Sequence, residues 1–453
     1  MLARSTAVDD AYAEFLHVAT NITGFGLQTP GSWPDGHAAQ SPKSEARSLM
    51  SSEFSFQITH THGAARRGML QTPHGAVNTP AFMPVGTQGA VKAVTHRDLE
   101  DLGAEIILGN TYHLFLRPGA DRIGRLGGLH KFIAWNRPIL TDSGGYQVFS
   151  LAGRRKIEEH GVRFRSHLDG TEHVLTPELA VDIQGHLGSD IAMVLDECLE
   201  HPATRQSASE SLERTLRWAK RGRDHFLRLR GTKTAPDAFF TNVGQAQFGI
   251  IQGGTFPDLR TRSVEGTLEV GFEAYAIGGL SVGEPIPLMY DITEHTARML
   301  PADKPRYLMG AGTPVDLVES AARGIDMFDC VMPTRNARNG QLFTSQGRLN
   351  IKNAEFAEDM RPLDEECGCY TCRHFSRAYL RHLFQAGEMT AGTLNTLHNL
   401  SFYLDTMNRI REAIVFRTLE ELRQKYRRIF PAQPARADAR LPRVNGADST
   451  LEG

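Results

Sequence analysis

RYLMGAGTPVDLVESAARGIDMFDC, residues 306–330, holds one complete unit of the fold. Two short apolar runs, at Tyr307 and Ile325, flank a segment that opens on Thr313 and Pro314 and closes on Gly324. A threonine caps a helix, a proline fits its first turn and a glycine ends it, so the stretch reads as strand, helix, strand. Working outward, similar runs recur as AFMPV from Ala81, EIILG from Glu105, PILT from Pro138, DIAMVL from Asp190, QFGIIQ from Gln247 and YAIGGL from Tyr275, which makes eight. Between them lie segments with helical spacing, such as HRDLEDLG from His96, TPELAVDIQGHLG from Thr176 and SASESLERTLRWAKRGRDHFLRLR from Ser207. Alternation of this kind over about 250 residues predicts an α/β fold closed as a (β/α)8 barrel. A doubly wound open sheet has the same local signature, but no dinucleotide glycine fingerprint follows the first strand.

The 453 residues carry 50 Lys plus Arg and 52 Asp plus Glu, and this balance excludes a uniformly basic nucleic-acid binder while leaving room for a local patch. Such a patch is found in residues 331–430, where 15 basic and 11 acidic residues give a net charge of +4. Its end, RIREAIVFRTLEELRQKYRRIF from Arg409, has apolar positions at Ile410, Ile414, Leu419, Leu422 and Tyr426 and predicts an amphipathic helix with a basic side. No run approaches the roughly 20 apolar residues of a membrane span, and no secretory pattern opens the chain. Five cysteines, three of them within six positions, suit a metal site in a reducing compartment better than a disulfide frame, so a cytoplasmic protein is expected. Residues 1–52 and 431–453 read as disordered extensions, 53–335 as the barrel, and 336–430 as an appended zinc-binding and basic helical subdomain.

Barrel enzymes carry their chemistry at the C-terminal ends of the strands. The polar residues there are Asn110, Thr111, Asp142, Ser143, Asp196, Glu197, Gln252 and Asp329, with glycines at 278, 279 and 310. One aspartate after a strand ordinarily caps the next helix. Three aspartates and an amide converging on one mouth point to a site. In DSGGYQVFS, Asp142 precedes two glycines that allow close approach of a flat ligand, and Tyr146 offers a stacking face. In FDCVMPTRNARNG, Asp329 precedes Arg335 and Arg338 on a stretch whose Pro, Asn and Gly predict a loop, suited to phosphate or base-edge recognition. ECGCYTC supplies Cys367, Cys369 and Cys372, three soft ligands for a closed, structural zinc site, with His374, His382 and His398 as candidates for the fourth. The pair His60 and His62 precedes the first barrel strand and is set aside.

From about Phe54 to Ile429 the chain resembles the tRNA-guanine transglycosylases, the queuine tRNA-ribosyltransferases. The resemblance rests on GNTYHL at Gly109, DSGGYQVFSL at Asp142, DEC at Asp196, GIIQGG at Gly249, AIGGLSVGE at Ala276, MGAGTP at Met309, DCVMPTRNARNG at Asp329 and CGCYTC at Cys367. It implies a (β/α)8 barrel with a zinc subdomain that exchanges the wobble guanine of GUN-anticodon tRNAs for a deazaguanine. Position by position it implies Asp329 as nucleophile and Asp142 as general acid/base. Asp196, Gln252, Gly279 and Leu280 would recognise the purine edge, Tyr146 and Met309 would sandwich its plane, and Arg335 and Arg338 would contact the anticodon loop. Cys367, Cys369, Cys372 and His398 would hold one zinc ion. Cys198 and Val282 resemble the bacterial form, which takes 7-aminomethyl-7-deazaguanine, with Glu284 at the aminomethyl end. A homodimer is implied as well. LEHPA after Cys198 departs from the family pattern, and the first 52 residues have no counterpart in it. Two rival readings are a barrel N-glycosidase acting on small nucleosides and a non-catalytic tRNA-binding subunit of a heteromeric transglycosylase.

Overall fold

The computed structural model describes residues 54–151, 155–231 and 240–431. The extensions expected at 1–52 and 431–453 fall outside these, apart from Pro431. An antiparallel meander of β1 (Ser55–His62), β2 (Ala65–Thr72) and β3 (Gly75–Thr79) precedes the barrel. The barrel strands are β4 (Ala81–Met83), β5 (Val85–Gly86), β6 (Ile107–Gly109) and β7 (Ile139–Thr141). A separate antiparallel sheet of β8 (Arg155–Glu158), β9 (Gly161–Arg165) and β10 (Glu172–Leu175) then intervenes. The barrel resumes with β11 (Ile191–Met193), β12 (Ala246–Ile251), β13 (Ala274–Ile277), β14 (Arg306–Leu308) and β15 (Met327–Asp329).

Every pairing in the barrel sheet is parallel. Pro84 separates β4 from β5, and its carbonyl accepts the Leu108 N–H at 3.0 Å. Since β4 pairs with β15 and β5 with β6, the sheet returns to the stave it began from, giving eight staves. Closure explains the composition of these runs. Both faces of each strand are covered, so β6, β7, β11, β12 and β13 are buried along their whole length and read as continuous rather than alternating apolar segments.

Two of the helices expected from their caps start at those residues. Thr313 and Asp316 form a reciprocal capping box on the helix Pro314–Ala322, and Thr176 caps Pro177–Leu187. Two local expectations are corrected. The stretch read as a loop after Asp329 contains the helix Met332–Arg338. Pro333 lies in its first turn, where no N–H is needed, and Gly340 ends it at φ +79°. The segment from Arg409 is not one helix: Met389–Phe416 stops at Arg417, a left-handed residue at φ 59°, and Leu419–Ile429 follows as a second helix.

The long helix Met389–Phe416 serves two cores. Leu400, Tyr403, Met407 and Ile410 join the barrel core, whereas Ala391, Leu394 and Leu397 join a second cluster with Leu342, Ile351, Leu363 and Leu380 around the cysteines. This second cluster includes the hairpin of β16 (Gln341–Thr344) and β17 (Gly347–Asn350).

Candidate active site and metal site

Each expected mouth residue follows or ends a barrel strand: Asn110 after β6, Asp142 after β7, Asp196 beyond β11, Gln252 after β12, Gly279 and Leu280 after β13, Met309 after β14, and Asp329 at the end of β15. Asn110 does two jobs. Its Oδ1 accepts the His113 N–H at 3.1 Å, capping the helix Thr111–Leu116, and its Nδ2 donates to Asp142 Oδ2 at 2.6 Å. The other Asp142 oxygen accepts the backbone N–H groups of Thr111 (2.9 Å) and Gly144 (3.2 Å). Burial raises this carboxyl against those donors, and the neighbouring Asp329 and Asp196 charges push the same way, up to about 7.

Asp329 Oδ1 accepts the Tyr307 hydroxyl at 2.6 Å and the Gly310 N–H at 2.7 Å. Burial pushes its carboxyl up, and the two donors oppose that shift. Both of these bonds end on Oδ1. Asp196 Oδ2 accepts Gln252 Nε2 at 2.6 Å, and the Ser143 hydroxyl approaches Oδ1 at 3.4 Å. Burial lifts it to about 6.

The glycines here are steric requirements. A Cβ on Gly279, at φ +63°, would lie 2.3 Å from Gln252 Oε1, and one on Gly145 would lie 2.9 Å from the Asp196 carbonyl. Tyr146 is 55% exposed and free to stack on a planar ligand, while Met309 is half-buried. Glu284 accepts the backbone N–H groups of Ser281 and Val282 and so fixes the turn beside the recess. Burial keeps the Cys198 thiol neutral, pushed up to about 12. Arg335 and Arg338 stand on the exposed face of the helix Met332–Arg338, whose Pro333, Thr334 and Ala337 are buried. The long helix anchors it, because Asn395 and Asn399 donate to the Ala337 and Pro333 carbonyls.

Two site residues escaped the sequence reading. Tyr307 sits inside a strand and looks apolar there. Its signal is the hydroxyl, which a fully buried position obliges to find a partner. Arg260, on the helix Pro257–Val270, looks like an ordinary surface charge in sequence yet is 0% exposed.

The cysteines meet one of the three candidate histidines. Cys367, Cys369, Cys372 and His398 present ligand atoms within 4.8 Å of one another and can hold a metal ion. His374 and His382 are exposed. The fit is chemical as well as spatial. His398 Nε2 donates to the Phe343 carbonyl at 2.8 Å, which turns Nδ1 toward Cys372 Sγ (3.3 Å) and Cys369 Sγ (3.8 Å). A second group, His74, His130 and Asp190, lies at the opposite end of the barrel, before β11. Its rings are stacked 3.5 Å apart and 14° from parallel, and their nitrogens meet separate oxygens of Asp190, His74 Nδ1 at 2.7 Å and His130 Nε2 at 3.0 Å. The His74 and Ile139 N–H groups complete a four-donor hub, and these bonds outweigh burial to hold Asp190 down at about 2.

Three buried carboxyls, each raised by its burial, gathered at the C-terminal mouth of a (β/α)8 barrel mark the place where such a fold carries an active site. Residues 61–432 match the family model for queuine tRNA-ribosyltransferase. The chain is 56% identical to the queuine tRNA-ribosyltransferase of Nitratidesulfovibrio vulgaris over 384 residues, covering 85% of this chain and 99% of that one. It is also 56% identical to that of Oleidesulfovibrio alaskensis over 380 residues, 84% and 98% of the two chains. The chain therefore belongs to the queuine tRNA-ribosyltransferase family, and it is an enzyme of the tRNA-guanine transglycosylase class. Among the described residues, no helix is long and apolar enough to cross a membrane.

Proposed function

We propose that this enzyme replaces guanine at the wobble position of GUN-anticodon tRNAs by 7-aminomethyl-7-deazaguanine through a covalent intermediate on Asp329. The observation that carries the reading is the contrast between two carboxyls at one mouth. On Asp329 both donors share a single oxygen, whereas on Asp142 both oxygens accept donors and the proton affinity is raised into the neutral range. In the first step an Asp329 oxygen bonds to the ribose anomeric carbon as the bond to N9 of guanine breaks. The electron pair leaves with guanine, and Asp142 supplies the proton. In the second step the incoming base gives its N9 proton to Asp142, bonds to the same carbon and expels Asp329. Asp196 and Gln252, already bonded to each other, turn to the purine edge with Gly279 and Leu280, while Tyr146 and Met309 cover the ring faces. Cys198 and Val282 shape the rim, and Glu284 serves the aminomethyl group. The target nucleotide must leave its stack to enter.

The test is competition of guanine, 7-aminomethyl-7-deazaguanine and queuine for exchange into one GUN tRNA, with labelled guanine as the reporter. The aminomethyl base is expected to displace label most effectively. Cleavage of free nucleosides without labelling of tRNA would favour the glycosidase reading, and tRNA binding without exchange would favour the non-catalytic subunit.

The metal assigned to the cysteine cluster is zinc, held by Cys367, Cys369, Cys372 and His398. When bound, it ties the cysteine segment to the long helix and takes no part in the chemistry. Chelation or Cys369→Ala should lower Tm on the order of 10 °C while leaving kcat per folded molecule unchanged; a metal-free protein with unaltered melting would contradict this. Arg335→Ala and Arg338→Ala should each raise KM for tRNA roughly tenfold with little change in affinity for the free base, since they stand on an exposed face beside the mouth. Equal losses in both measurements would remove their assignment to tRNA. The resemblance further supports a homodimer acting in the cytoplasm.

A further inference from the structure

Arg260 is the one fully buried arginine at the mouth, and among the described residues no carboxylate accepts a hydrogen bond from it. Its donors go to backbone carbonyls instead: Nε to Gly254 at 2.8 Å, Nη1 to Ile251 at 2.9 Å and to Gly278 at 2.8 Å, and Nη2 toward Gly279 at 3.5 Å. Burying a guanidinium is costly, and the Glu284 carboxylate acts on this one through its charge without a hydrogen bond, so the backbone carbonyls take all of its donors. Burial lowers its proton affinity to about 10, which still leaves it charged at neutral pH.

The carbonyls it holds belong to the peptides that line the purine recess. In a trans peptide the C=O and N–H point opposite ways. Holding the Gly278 carbonyl therefore turns the Gly279 N–H away from Arg260, and that N–H meets the Cys198 thiol in the recess. Holding the Gly279 carbonyl turns the Leu280 N–H in the same manner. Gly278 and Gly279 are pressed against Gln252 from the other side, so the segment has little freedom to turn once Arg260 is in place.

We infer that Arg260 is a positioning residue for base exchange: from behind the recess it aims the Gly279 and Leu280 N–H groups at the purine, and its charge stabilises the base as it departs with its electron pair. This rests on the purine reading of the recess given above. The electron pair freed from the glycosidic bond is delocalised over the ring before the Asp142 proton arrives, and oriented donors backed by a cation in a dry site act at that moment.

The experiment compares wild type, Arg260→Gln and Arg260→Lys in guanine exchange into tRNA at saturating guanine. Competent sites are counted from the fraction of enzyme trapped as a covalent tRNA adduct. Arg260→Gln should lower kcat per competent site by roughly 100-fold, and Arg260→Lys, which keeps the charge but not the planar fork, by roughly 10-fold. KM for tRNA should stay within about 3-fold of wild type in both. A purely structural role would reduce the number of competent sites and leave the rate per site intact, and that result overturns the inference. If the glutamine variant does not fold, a wild-type rate per site in the lysine variant overturns it equally. Absence of exchange by the wild-type enzyme would bring down the proposed function and this inference with it, whereas normal wild-type exchange with unaltered variants would bring down the inference alone.

Discussion

Asp329→Ala should abolish base exchange, with a fall in kcat on the order of 10^4-fold or more and loss of the tRNA adduct on a denaturing gel. The size follows from the chemistry. In the proposed mechanism the carboxylate is the group that bonds to the anomeric carbon, and without it the positive charge building on the ribose also loses that counter-charge. Tyr307 and the Gly310 N–H, which now donate to Asp329 Oδ1, would be left facing an empty site and would not replace it. Binding of the free base should change little, because the groups assigned to the purine edge follow β11, β12 and β13 rather than β15. An alanine variant that still formed the adduct would move the nucleophile elsewhere, and Asp142 would then be the next carboxylate to examine.

Asp142→Asn carries the second largest expected effect, roughly 10^3-fold in kcat, since in the proposed mechanism it removes the proton that the departing guanine receives. The pH dependence gives a sharper test than the size. Asp142 is pushed up to about 7 by burial and by its carboxylate neighbours, so it is protonated below that pH and able to donate. As pH rises through about 7 the acid form is lost, and kcat/KM for tRNA should fall about tenfold per unit on that side. The proposed mechanism gives Asp329 the opposite requirement: there it attacks as the anion, so activity should also fall as the pH drops through its own raised proton affinity. The profile is therefore a bell, reporting the pair rather than either residue alone. In Asp142→Asn the alkaline limb should disappear from whatever rate remains; an unchanged limb would show that another group supplies the proton.

Much of this machinery was legible in the chain because the relevant signals are local. The eight buried runs, the capping of Pro314–Ala322 and the ligand types in ECGCYTC are all set by residues within a few positions of one another. Even the placing of Asp142 and Asp329 at strand ends needs only the strand boundaries. Where local signals compete, the reading failed. Pro333 and Gly340 suggest a loop, yet proline in a first turn and glycine past a last turn are equally the marks of a short helix, and packing of Pro333 and Ala337 against the long helix decides for the latter.

What the sequence by itself determined is the architecture and the chemical inventory: a closed α/β barrel, three carboxyls and an amide at its mouth, two arginines beside them and a cysteine cluster outside. Periodicity, caps and residue type encode all of these within short windows. The tertiary structure alone decided which partners each group meets. Asn110 reaches Asp142 across 32 positions, Gln252 reaches Asp196 across 56, and Tyr307 reaches Asp329 across 22. It singled out His398 from three histidines by burying it against Cys369 and Cys372, and it withdrew Arg260 from solvent to hold the recess peptides. Proton affinity and orientation follow from burial and from neighbours brought in by chain closure, and neither is written in the residues beside the group itself.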